Sequence, residues 1–334
     1  MTERAGVICA GNWIVDLVHD IETWPNESEL TRIGQQTRGI GGGAANVIAA
    51  LARLQTGLPL FPMGAIGDDE QGAFILQECQ GLGLPTEALI AKPGVATAHT
   101  HVMSVAGQSR TFFYQGGAND ALTASDFPLG TFSASRAKIF YLGYLTLLGD
   151  LDAPSADGAT NAAQVLSRAQ QAGLITCVDL VSIQHPRFQE IVAAAAPHID
   201  YLVTNEIEVA HATGQEPSGR PEDLLKSARK LLDRGVNAAV VVHCVDTVLW
   251  VGADGTELAF RVEKLPPDQI ASHLGAGDAF CAGLLYGVHE AQPPERCLHV
   301  ATATARASLK GMTATEAIPT LDALEVQRMQ TLSI

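Results

Sequence analysis

The sequence reads His273-Leu274-Gly275-Ala276-Gly277-Asp278-Ala279-Phe280 directly before CAGLLYGVHE (281–290), a run that favours a helix. Gly275 and Gly277 allow the backbone to turn sharply, so that amide N–H groups and the positive end of the helix point at an anion. Asp278 falls on the first turn, where it can accept a proton from a hydroxyl group. The segment predicts an anion-binding loop beside a general base. A helix cap after a tight turn is the alternative.

A second glycine cluster, Gly-Ile-Gly-Gly-Gly-Ala-Ala-Asn at 39–46, opens the helical pattern VIAALARL. Three consecutive glycines are costly in conformational entropy, which indicates that something must come close to the main chain. Asn46 and the bare backbone are therefore candidates for contact with a polar ligand. A flexible loop is the alternative. The spacing does not match the GxGxxG fingerprint of dinucleotide-binding proteins.

Outward from these loops, short apolar runs rich in β-branched residues alternate with segments of helical periodicity. This alternation is typical of a parallel sheet covered by helices on both faces. The predicted strands lie at 6–10, 139–142, 174–179, 201–204 and 238–243, and the predicted helices at 44–54, 161–172, 221–234 and 279–289. We therefore expect an α/β fold with a mostly parallel central sheet, in a single domain over residues 1–334.

Two stretches break this alternation, at about 17–39 and 96–114, where runs such as THVMSV and RTFFY indicate antiparallel strands exposed on one face. We expect them to form a small β-sheet lid that closes on a substrate and excludes water. A hairpin without a function is the alternative. Because uncovered strand edges invite pairing, we also expect a homodimer through the lid.

Composition limits the class of protein and the kinds of partner. The 334 residues are 47% hydrophobic and 17% charged, which predicts a folded globular chain. Lysine and arginine total 21 against 36 acidic residues, a formal charge of -15 with no basic run, which argues against nucleic acid as a partner. ATP is not excluded, because backbone amides, a helix N-terminus and a divalent metal supply positive potential locally.

Cysteine spacing and hydropathy indicate the compartment. The six cysteines are scattered without a CxxC pair, which predicts reduced thiols. The N-terminal segment has no long apolar run after a basic head, and no segment approaches about eighteen unbroken apolar residues. We therefore expect a cytoplasmic protein that does not associate with a membrane.

Together, the two glycine loops resemble the signatures of the ribokinase-like, or PfkB, carbohydrate kinases: an N-terminal GG-x-x-x-N loop and a C-terminal GAGD loop. Other family elements stand in the expected order over nearly the whole chain: Gly11-Asn12, Asp16, GAIGDD (64–69), Gly72 and TNEIE (204–208). The resemblance implies a ribokinase-like fold with a Rossmann-like central sheet and a β lid. It also implies transfer of the γ-phosphate of ATP to a hydroxyl group of a sugar, nucleoside or related alcohol.

The resemblance further implies roles for individual residues. Asp278 matches the catalytic base, and the residues that match the anion hole are Gly275, Ala276 and Gly277. The residues expected to bind substrate are Asn12, Asp16, Gly42, Gly43 and Asn46. Asn205 and Glu208 match an N-x-x-E element that organises Mg²⁺, its waters and the phosphates. Catalysis would come chiefly from positioning and electrostatic stabilisation.

Three positions depart from the family pattern near the phosphates and the substrate. Ser272-His273 stands where most members carry Asp-Thr, in a segment that often helps to form a monovalent-cation site, which argues against such a cofactor here. His273 is either a phosphate contact or a solvated loop residue. Gly43 stands where ribokinases proper commonly have lysine, so ribose is not favoured.

A further departure lies in the turn at 242–250, beside the expected nucleotide. Both glycines expected there are valine, Val245 and Val248, so the approach of the backbone to the phosphates is altered. His243 is a candidate nucleotide contact in the same element. This departure motivates the alternative of a catalytically weak member that acts as a sugar-binding or regulatory module. A nucleoside kinase is an alternative within the same chemistry.

The predicted lid adds one candidate cation and two histidines. Arg110, next to an aromatic run, is a candidate for reading an acidic or phosphorylated sugar, with a surface charge as the alternative. His99 and His101 alternate on a predicted strand and so face the same way. Without a nearby third ligand they do not predict a metal site, and no residue is assigned as a direct metal ligand.

Overall fold

Fourteen strands and nine α-helices form the part of the chain that the computed structural model describes, residues 4–108, 110–128, 130, 132, 136–156 and 158–334. The strands are β1 (Val7–Gly11), β2 (Ile14–Ile21), β3 (Ile33–Gly41), β4 (Leu60–Gly67), β5 (Leu89–Lys92), β6 (His99–Ser104), β7 (Thr111–Gln115), β8 (Ile139–Leu145), β9 (Ile175–Leu180), β10 (Tyr201–Thr204), β11 (Ala239–His243), β12 (Thr247–Gly252), β13 (Glu257–Arg261) and β14 (Gln330–Thr331). The helices are α1 (Gly43–Arg53), α2 (Glu70–Gly81), α3 (Gly117–Asp120), α4 (Asn161–Gln171), α5 (Phe188–Ala195), α6 (Glu206–Thr213), α7 (Pro221–Asp233), α8 (Ala276–His289) and α9 (Pro294–Ser308).

The apolar runs lie side by side in a ten-stranded sheet of order β14-β13-β12-β11-β10-β9-β8-β1-β4-β5. Neighbouring strands from β5 to β11 are parallel, whereas β12, β13 and β14 extend the sheet in antiparallel fashion. Every residue of β1 is buried, as expected for a parallel strand that is covered on both faces. The predicted α/β fold with a mostly parallel central sheet is confirmed.

The helices form one layer on each face of this sheet. Helices α1, α2, α8 and α9 cover one face through buried side chains such as Ile48, Ile75 and Leu285. Helices α4 to α7 cover the other face through side chains such as Leu166 and Leu224. Burial of each such side chain is worth about 1.5–3 kcal/mol. The two helix layers therefore hold in place the carboxyl ends of the strands, beside which the glycine loops lie.

A separate four-stranded sheet has the order β3-β2-β6-β7. Its strands overlap the two segments predicted to form a lid, 17–39 and 96–114, and extend beyond them to Ile14, Gly41 and Gln115. The pairs β2–β3 and β6–β7 are antiparallel, whereas β2 and β6 are parallel, which the sequence pattern did not predict. That this sheet moves as a lid stays a prediction.

Two expectations about the whole chain bear on its chemistry. The six cysteines are free thiols, and five of them are buried. Within the described ranges, no helix has both the length and the apolar character needed to span a membrane.

Candidate functional site

The predicted anion loop forms the N-terminus of α8. Gly275 caps this helix in the left-handed conformation, with φ of 72°. A side chain at Gly275 would bring its Cβ within 2.4 Å of the Ala314 Cβ, so only glycine fits. The helix begins at Ala276, three residues before the predicted start, because Gly275 O accepts the first helical hydrogen bond, from Ala279 N at 2.8 Å. The first-turn N–H groups of α8, which have no partner within the helix, are those of the predicted anion hole.

Asp278 lies on that first turn, with 4% of its surface exposed. Its Oδ2 accepts hydrogen bonds from Asn46 Nδ2 at 2.8 Å and from the Tyr144 hydroxyl at 3.0 Å. Burial raises the pKa of Asp278 to about 7, and the nearby charges of Asp16 and Glu208 act in the same direction, while the two hydrogen bonds oppose the rise. The carboxyl group can therefore take up or release a proton near neutral pH.

Asn46 joins the glycine cluster to helix α8. Its side chain is buried in the first turn of α1, and its Nδ2 is committed to Asp278. Its Oδ1 is also buried and has no hydrogen-bond partner among the described residues. Because buried acceptors are nearly always satisfied, this oxygen is suited to a donor that a ligand brings, such as a hydroxyl group.

The glycine cluster leaves no room for side chains at Gly41 and Gly42, because neighbouring groups pack directly against its backbone. A Cβ on Gly41 would lie 2.2 Å from Asp16 Oδ2. Gly42 has φ of 91°, and a Cβ there would lie 2.5 Å from Asn12 O. The two glycines therefore let Asn12 and Asp16, both predicted to bind substrate, lie directly against the loop that opens α1.

Gly43 also leaves no room for a side chain. A Cβ at this position would lie 2.8 Å from Tyr144 Cδ1 and 3.0 Å from Gly143 Cα. The Tyr144 ring thus occupies the space beside the loop that a longer residue at position 43 would need. This contact gives a physical reason for the absence of the lysine that is common at this position in ribokinases proper.

Asp16 is on β2 of the small sheet and is 7% exposed. Burial raises its pKa to about 6, opposed by a hydrogen bond from Thr100 and by the positive charge of Arg110. Asp16 and Asp278 interact electrostatically across the site. The small sheet therefore contributes a carboxyl group to the surroundings of Asp278.

Asn12 is held by a chain of polar groups. Its Nδ2 donates to Leu147 O at 3.2 Å, and its Oδ1 accepts from the Tyr114 hydroxyl at 3.4 Å. Tyr114 in turn accepts from Asn119 Nδ2 at 3.4 Å. Asn119 also binds both backbone polar groups of Trp13, at 3.1 Å each. The Asn12 amide is therefore fixed by Tyr114 of the small sheet and by Leu147, which lies just after β8 of the large sheet.

Arg110, between β6 and β7, contacts the loop before α8. Its Nη1 donates to Ser272 Oγ at 2.8 Å, and the same oxygen accepts from Leu274 N at 3.0 Å. Ser272 is 4% exposed, so this contact is buried on the loop side. This hydrogen bond thus connects the β6–β7 turn of the small sheet to the loop before α8. His273, the other departure in this segment, is exposed.

Asn205 and Glu208 form a capping box at the N-terminus of α6. Asn205 Oδ1 accepts from Ile207 N and Glu208 N, each at 2.9 Å, and Glu208 Oε2 accepts from Asn205 N at 2.9 Å. Glu208 Oε1 accepts from Asn205 Nδ2 at 2.7 Å and from Ser182 Oγ at 2.8 Å. Burial raises the pKa of Glu208 to about 6. The element is ordered, acidic and within electrostatic range of Asp278.

Two residues beside Asp278 were missed by the sequence reasoning. Tyr144 has φ of 58°, rare for a residue with a side chain, and its N–H donates to Asp179 Oδ1 at 2.7 Å. Burial, together with the charge of Asp278, raises the pKa of Asp179 well above its usual range. Both residues stand near the carboxyl ends of buried parallel strands, the usual position of ligand-binding groups in such sheets, which was the available signal.

His243 lies against the anion loop at the end of β11. A Cβ on Gly277 would be 3.3 Å from His243 Cε1, and the His243 ring centroid is 4.9 Å from that of Phe280. Burial lowers the pKa of His243 to about 4, so the ring is neutral at physiological pH. It therefore offers the loop a polar but uncharged neighbour.

The two valines at the altered turn have different surroundings. Val248 is buried in β12, where it pairs with His243 across the hairpin. Val245 is 72% exposed at the turn, which is closed by a hydrogen bond from Cys244 N to Thr247 O at 2.8 Å. The Val248 side chain thus belongs to the sheet core, and only the tip of the hairpin at Val245 projects into solvent.

Comparisons with known proteins agree with this architecture. Ribokinase of Arabidopsis thaliana is 25% identical over 307 residues, which cover 90% of this chain and 74% of the relative. A 5-dehydro-2-deoxygluconokinase of Geobacillus kaustophilus is 25% identical over 327 residues, covering 95% and 92% of the two chains. The structure of Arabidopsis thaliana ribokinase complexed with ribose and ATP superimposes with a TM-score of 0.79 at 23% identity, covering 96% and 97%.

The structural similarity confirms the ribokinase-like fold predicted from the two glycine loops. A family model described as pfkB family carbohydrate kinase matches residues 4–321. That match contains both glycine loops, Asp278 and the N-x-x-E element. The chain therefore belongs to the pfkB family of carbohydrate kinases, phosphotransferases that act on a hydroxyl group.

Proposed function

We propose that this chain transfers the γ-phosphate of ATP to a hydroxyl group of a sugar or related carbohydrate, with Asp278 as the general base. The observation that carries the proposal is a buried carboxyl group with a pKa of about 7 on the first turn of α8. Such a group accepts the proton of an attacking hydroxyl near neutral pH. A positioned base contributes about 10² to 10⁴ in rate.

The acceptor sugar would lie between the two glycine loops. Asn46 Oδ1, buried and unpartnered among the described residues, would accept a hydrogen bond from one sugar hydroxyl. Asp16 and Asn12 would bind further hydroxyls, and the bare backbone at Gly42 and Gly43 would allow the sugar ring to approach closely. Because Asn46 Nδ2 holds Asp278, the residue that binds the sugar also orients the base.

The transferred phosphoryl group would lie at the N-terminus of α8. The amide groups of Gly275, Ala276 and Gly277 would stabilise charge on its oxygens, as helix N-termini do for anions. His243, neutral and packed against Gly277, would border this position without adding a charge. We propose that the nucleotide runs from this loop past the hairpin at Val245.

Mg²⁺ fits the chemistry of the acidic groups around this loop. Asp278 and Glu208 are both buried, and each has a pKa raised chiefly by burial. Mg²⁺ prefers oxygen ligands and is commonly held by one or two carboxylates together with substrate phosphates. We propose that Asn205 and Glu208 hold the ion and its waters. When bound, the ion neutralises charge on the phosphates.

The small sheet would act as a lid over the sugar. Asp16 lies on β2 of this sheet, and Arg110 connects the sheet to Ser272 of the catalytic loop. Closure would exclude water from the phosphoryl group and so prevent hydrolysis. Arg110 is the proposed contact for an acidic or phosphorylated group on the sugar.

Two further parts of the proposal concern assembly and location, and the exposed strands of the lid support the first. Phe112 and Phe113 on β7 are 54% and 52% exposed, so we propose a homodimer through this sheet. Light scattering would then give twice the 35.1 kDa mass of one chain, and a single-chain mass at micromolar concentration would refute the dimer. We also propose a cytoplasmic location, where ATP is supplied, which fractionation of the producing cells checks.

Coupled ADP release from Mg²⁺ and ATP tests the activity against a panel of hexoses, pentoses, sugar acids, sugar phosphates, polyols and nucleosides. A signal that depends on one class of acceptor and disappears in Asp278→Asn supports the kinase and names its substrate class. No signal with any acceptor, combined with thermal stabilisation by a sugar, refutes the kinase in favour of a binding module. A signal with nucleosides alone refutes the carbohydrate assignment.

A further inference from the structure

A cavity of about 290 Å³ lies between α9, the end of β13 and the C-terminal segment. Its lining includes Arg261 of β13, His299, Thr302 and Arg306 of α9, and Arg328 of the C-terminal segment. None of the proposed catalytic, sugar-binding or nucleotide-binding residues lines it. The cavity is therefore separate from the proposed kinase site.

The lining carries a net positive charge. Arg261, Arg306 and Arg328 face one acidic residue, Glu263, a formal balance of about +2. Within the described ranges, none of the three guanidinium groups makes an ion pair. In a chain with a formal charge of -15, this cluster is an uncompensated positive region.

Two polar atoms of the lining residues are buried without a hydrogen-bond partner among the described residues: Thr302 Oγ1 and Arg306 Nη1. Thr302 is only 6% exposed. Its neighbour on the same helix, Thr304, donates to Val300 O at 2.9 Å, as threonine usually does within a helix. The Thr302 hydroxyl makes no such bond within the described part of the chain. Unsatisfied buried polar groups are costly. Thr302 Oγ1 and Arg306 Nη1 therefore indicate that a bound ligand provides their hydrogen-bond partners.

We propose that this cavity binds the phosphate monoester group of a small metabolite. Such a group carries a charge of about −1.5 to −2 at neutral pH, which matches the formal balance of the lining. Its oxygens accept paired hydrogen bonds from guanidinium groups, and one oxygen satisfies Thr302 Oγ1. The volume accommodates the phosphate with a small attached body.

Ligand binding here would fasten the C-terminal segment to the body of the protein. Gln330 pairs with Arg261 at the sheet edge, and Met329 N donates to His299 Nε2 at 3.3 Å. Arg328 directly precedes these two attachments and lines the cavity. A phosphate held jointly by Arg328 and by Arg306 of α9 would therefore slow local opening of the segment.

Hydrogen–deuterium exchange of the full-length protein tests the site, with inorganic phosphate and glycerol phosphate as probes and chloride at the same ionic strength as reference. We expect both probes, but not chloride, to slow amide exchange at 327–332 by about threefold or more. Arg306→Gln should abolish this protection, and Arg296→Gln, which removes an exposed arginine of the same helix, should retain it.

Thr302→Val serves as a second variant, in case Arg306→Gln loses phosphate protection because it misfolds. Because the Thr302 hydroxyl has no partner among the described residues, its replacement by a methyl group should leave the unliganded Tm unchanged or raise it. The same variant should weaken phosphate protection about tenfold in probe concentration. Absent protection in the unmodified protein, or equal protection in Arg306→Gln, would overturn the proposal. Protection confined to the N-terminus of α8 would also overturn it, since phosphate would then bind only at the proposed kinase site.

Discussion

Replacement of Asp278 by asparagine separates the proposed catalytic role of this carboxyl group from its effect on the stability of the fold. The side chain is buried, and its pKa rises from 3.8 to about 7 chiefly because burial disfavours the charged form. We expect Asp278→Asn to lower kcat by about 10² to 10⁴, since an amide cannot accept the substrate proton. We also expect the same variant to be more stable than the unmodified protein at alkaline pH.

The magnitude of the stability gain follows from the pKa. A rise of about three pKa units corresponds to about 4 kcal/mol that ionisation of Asp278 costs the folded state. This cost already includes the hydrogen bonds from Asn46 and Tyr144, since both oppose the rise in the pKa. Asn46 Oδ1 is unpartnered among the described residues, so it is available to the new amide. A gain of about 4 kcal/mol should raise the Tm by about 6 °C, given an unfolding entropy of about 2.1 cal/mol/K per residue.

The gain should depend on pH in one direction. Below about pH 4 the carboxyl group is protonated in both the folded and the unfolded chain, so the variant gains nothing. As pH rises from about 4 to about 7, only the unfolded chain loses the proton, and the unmodified protein becomes progressively less stable than the variant.

Thermal unfolding at about pH 5 and about pH 8 measures this difference. Asp233→Asn, which alters an exposed carboxyl group at the end of α7, serves as the matched control and should show no such pH dependence. A Tm gain that is equal at both pH values, or a loss at pH 8, would contradict the reasoning from burial. Undiminished ADP release by the variant would remove Asp278 from the mechanism.

Three further predictions concern the surroundings of Asp278. Tyr144→Phe removes a hydrogen bond that lowers the pKa of Asp278. The acid limb of the profile of kcat/KM against pH, expected near pH 7, should therefore move to higher pH by as much as about one unit. An unshifted limb would exclude a role for Tyr144 in positioning Asp278. Glu208→Gln keeps an acceptor for the α6 cap but lacks the charge, and should raise the Mg²⁺ concentration for half-maximal activity about tenfold or more; an unchanged Mg²⁺ titration would contradict the proposed metal role. Arg110→Gln removes the hydrogen bond to Ser272 and a charge near Asp16, and should raise KM about tenfold for anionic sugars but less for neutral ones; equal effects on both would leave Arg110 as a structural link only.

The order of elements was predictable because local sequence controls it. The strand predicted at 201–204 is observed as Tyr201–Thr204, and the helix predicted at 161–172 as Asn161–Gln171. Apolar runs with β-branched residues and helical periodicity each span only a few residues, so they can be recognised in the sequence without knowledge of tertiary contacts. The parallel pairing of β2 with β6 was not predictable from local sequence, because residues 14–21 and 99–104 meet only after the chain between them has folded.

The candidate site was predictable to different degrees. Asp278 and Asn46 were identified because each follows a glycine run at the start of a helix, where bare backbone favours the close approach of a ligand. Tyr144 and Asp179 were missed because neither belongs to a short motif, although each contacts the site through a strand end. The positive cavity at Arg306 was invisible for the same reason, since its lining comes from β13, α9 and the C-terminal segment.

The sequence by itself determined the chemistry available to this protein: a GAGD loop at a helix start, a glycine-rich loop, an N-x-x-E element and an acidic composition. Only the tertiary structure decided how those groups behave. Burial raises the pKa of Asp278, and Asn46 of helix α1, 232 residues away in the sequence, donates a hydrogen bond to it. Arg110 crosses from the small sheet to Ser272. Burial and long-range contacts depend on how distant segments pack, and local sequence patterns carry no information about that packing.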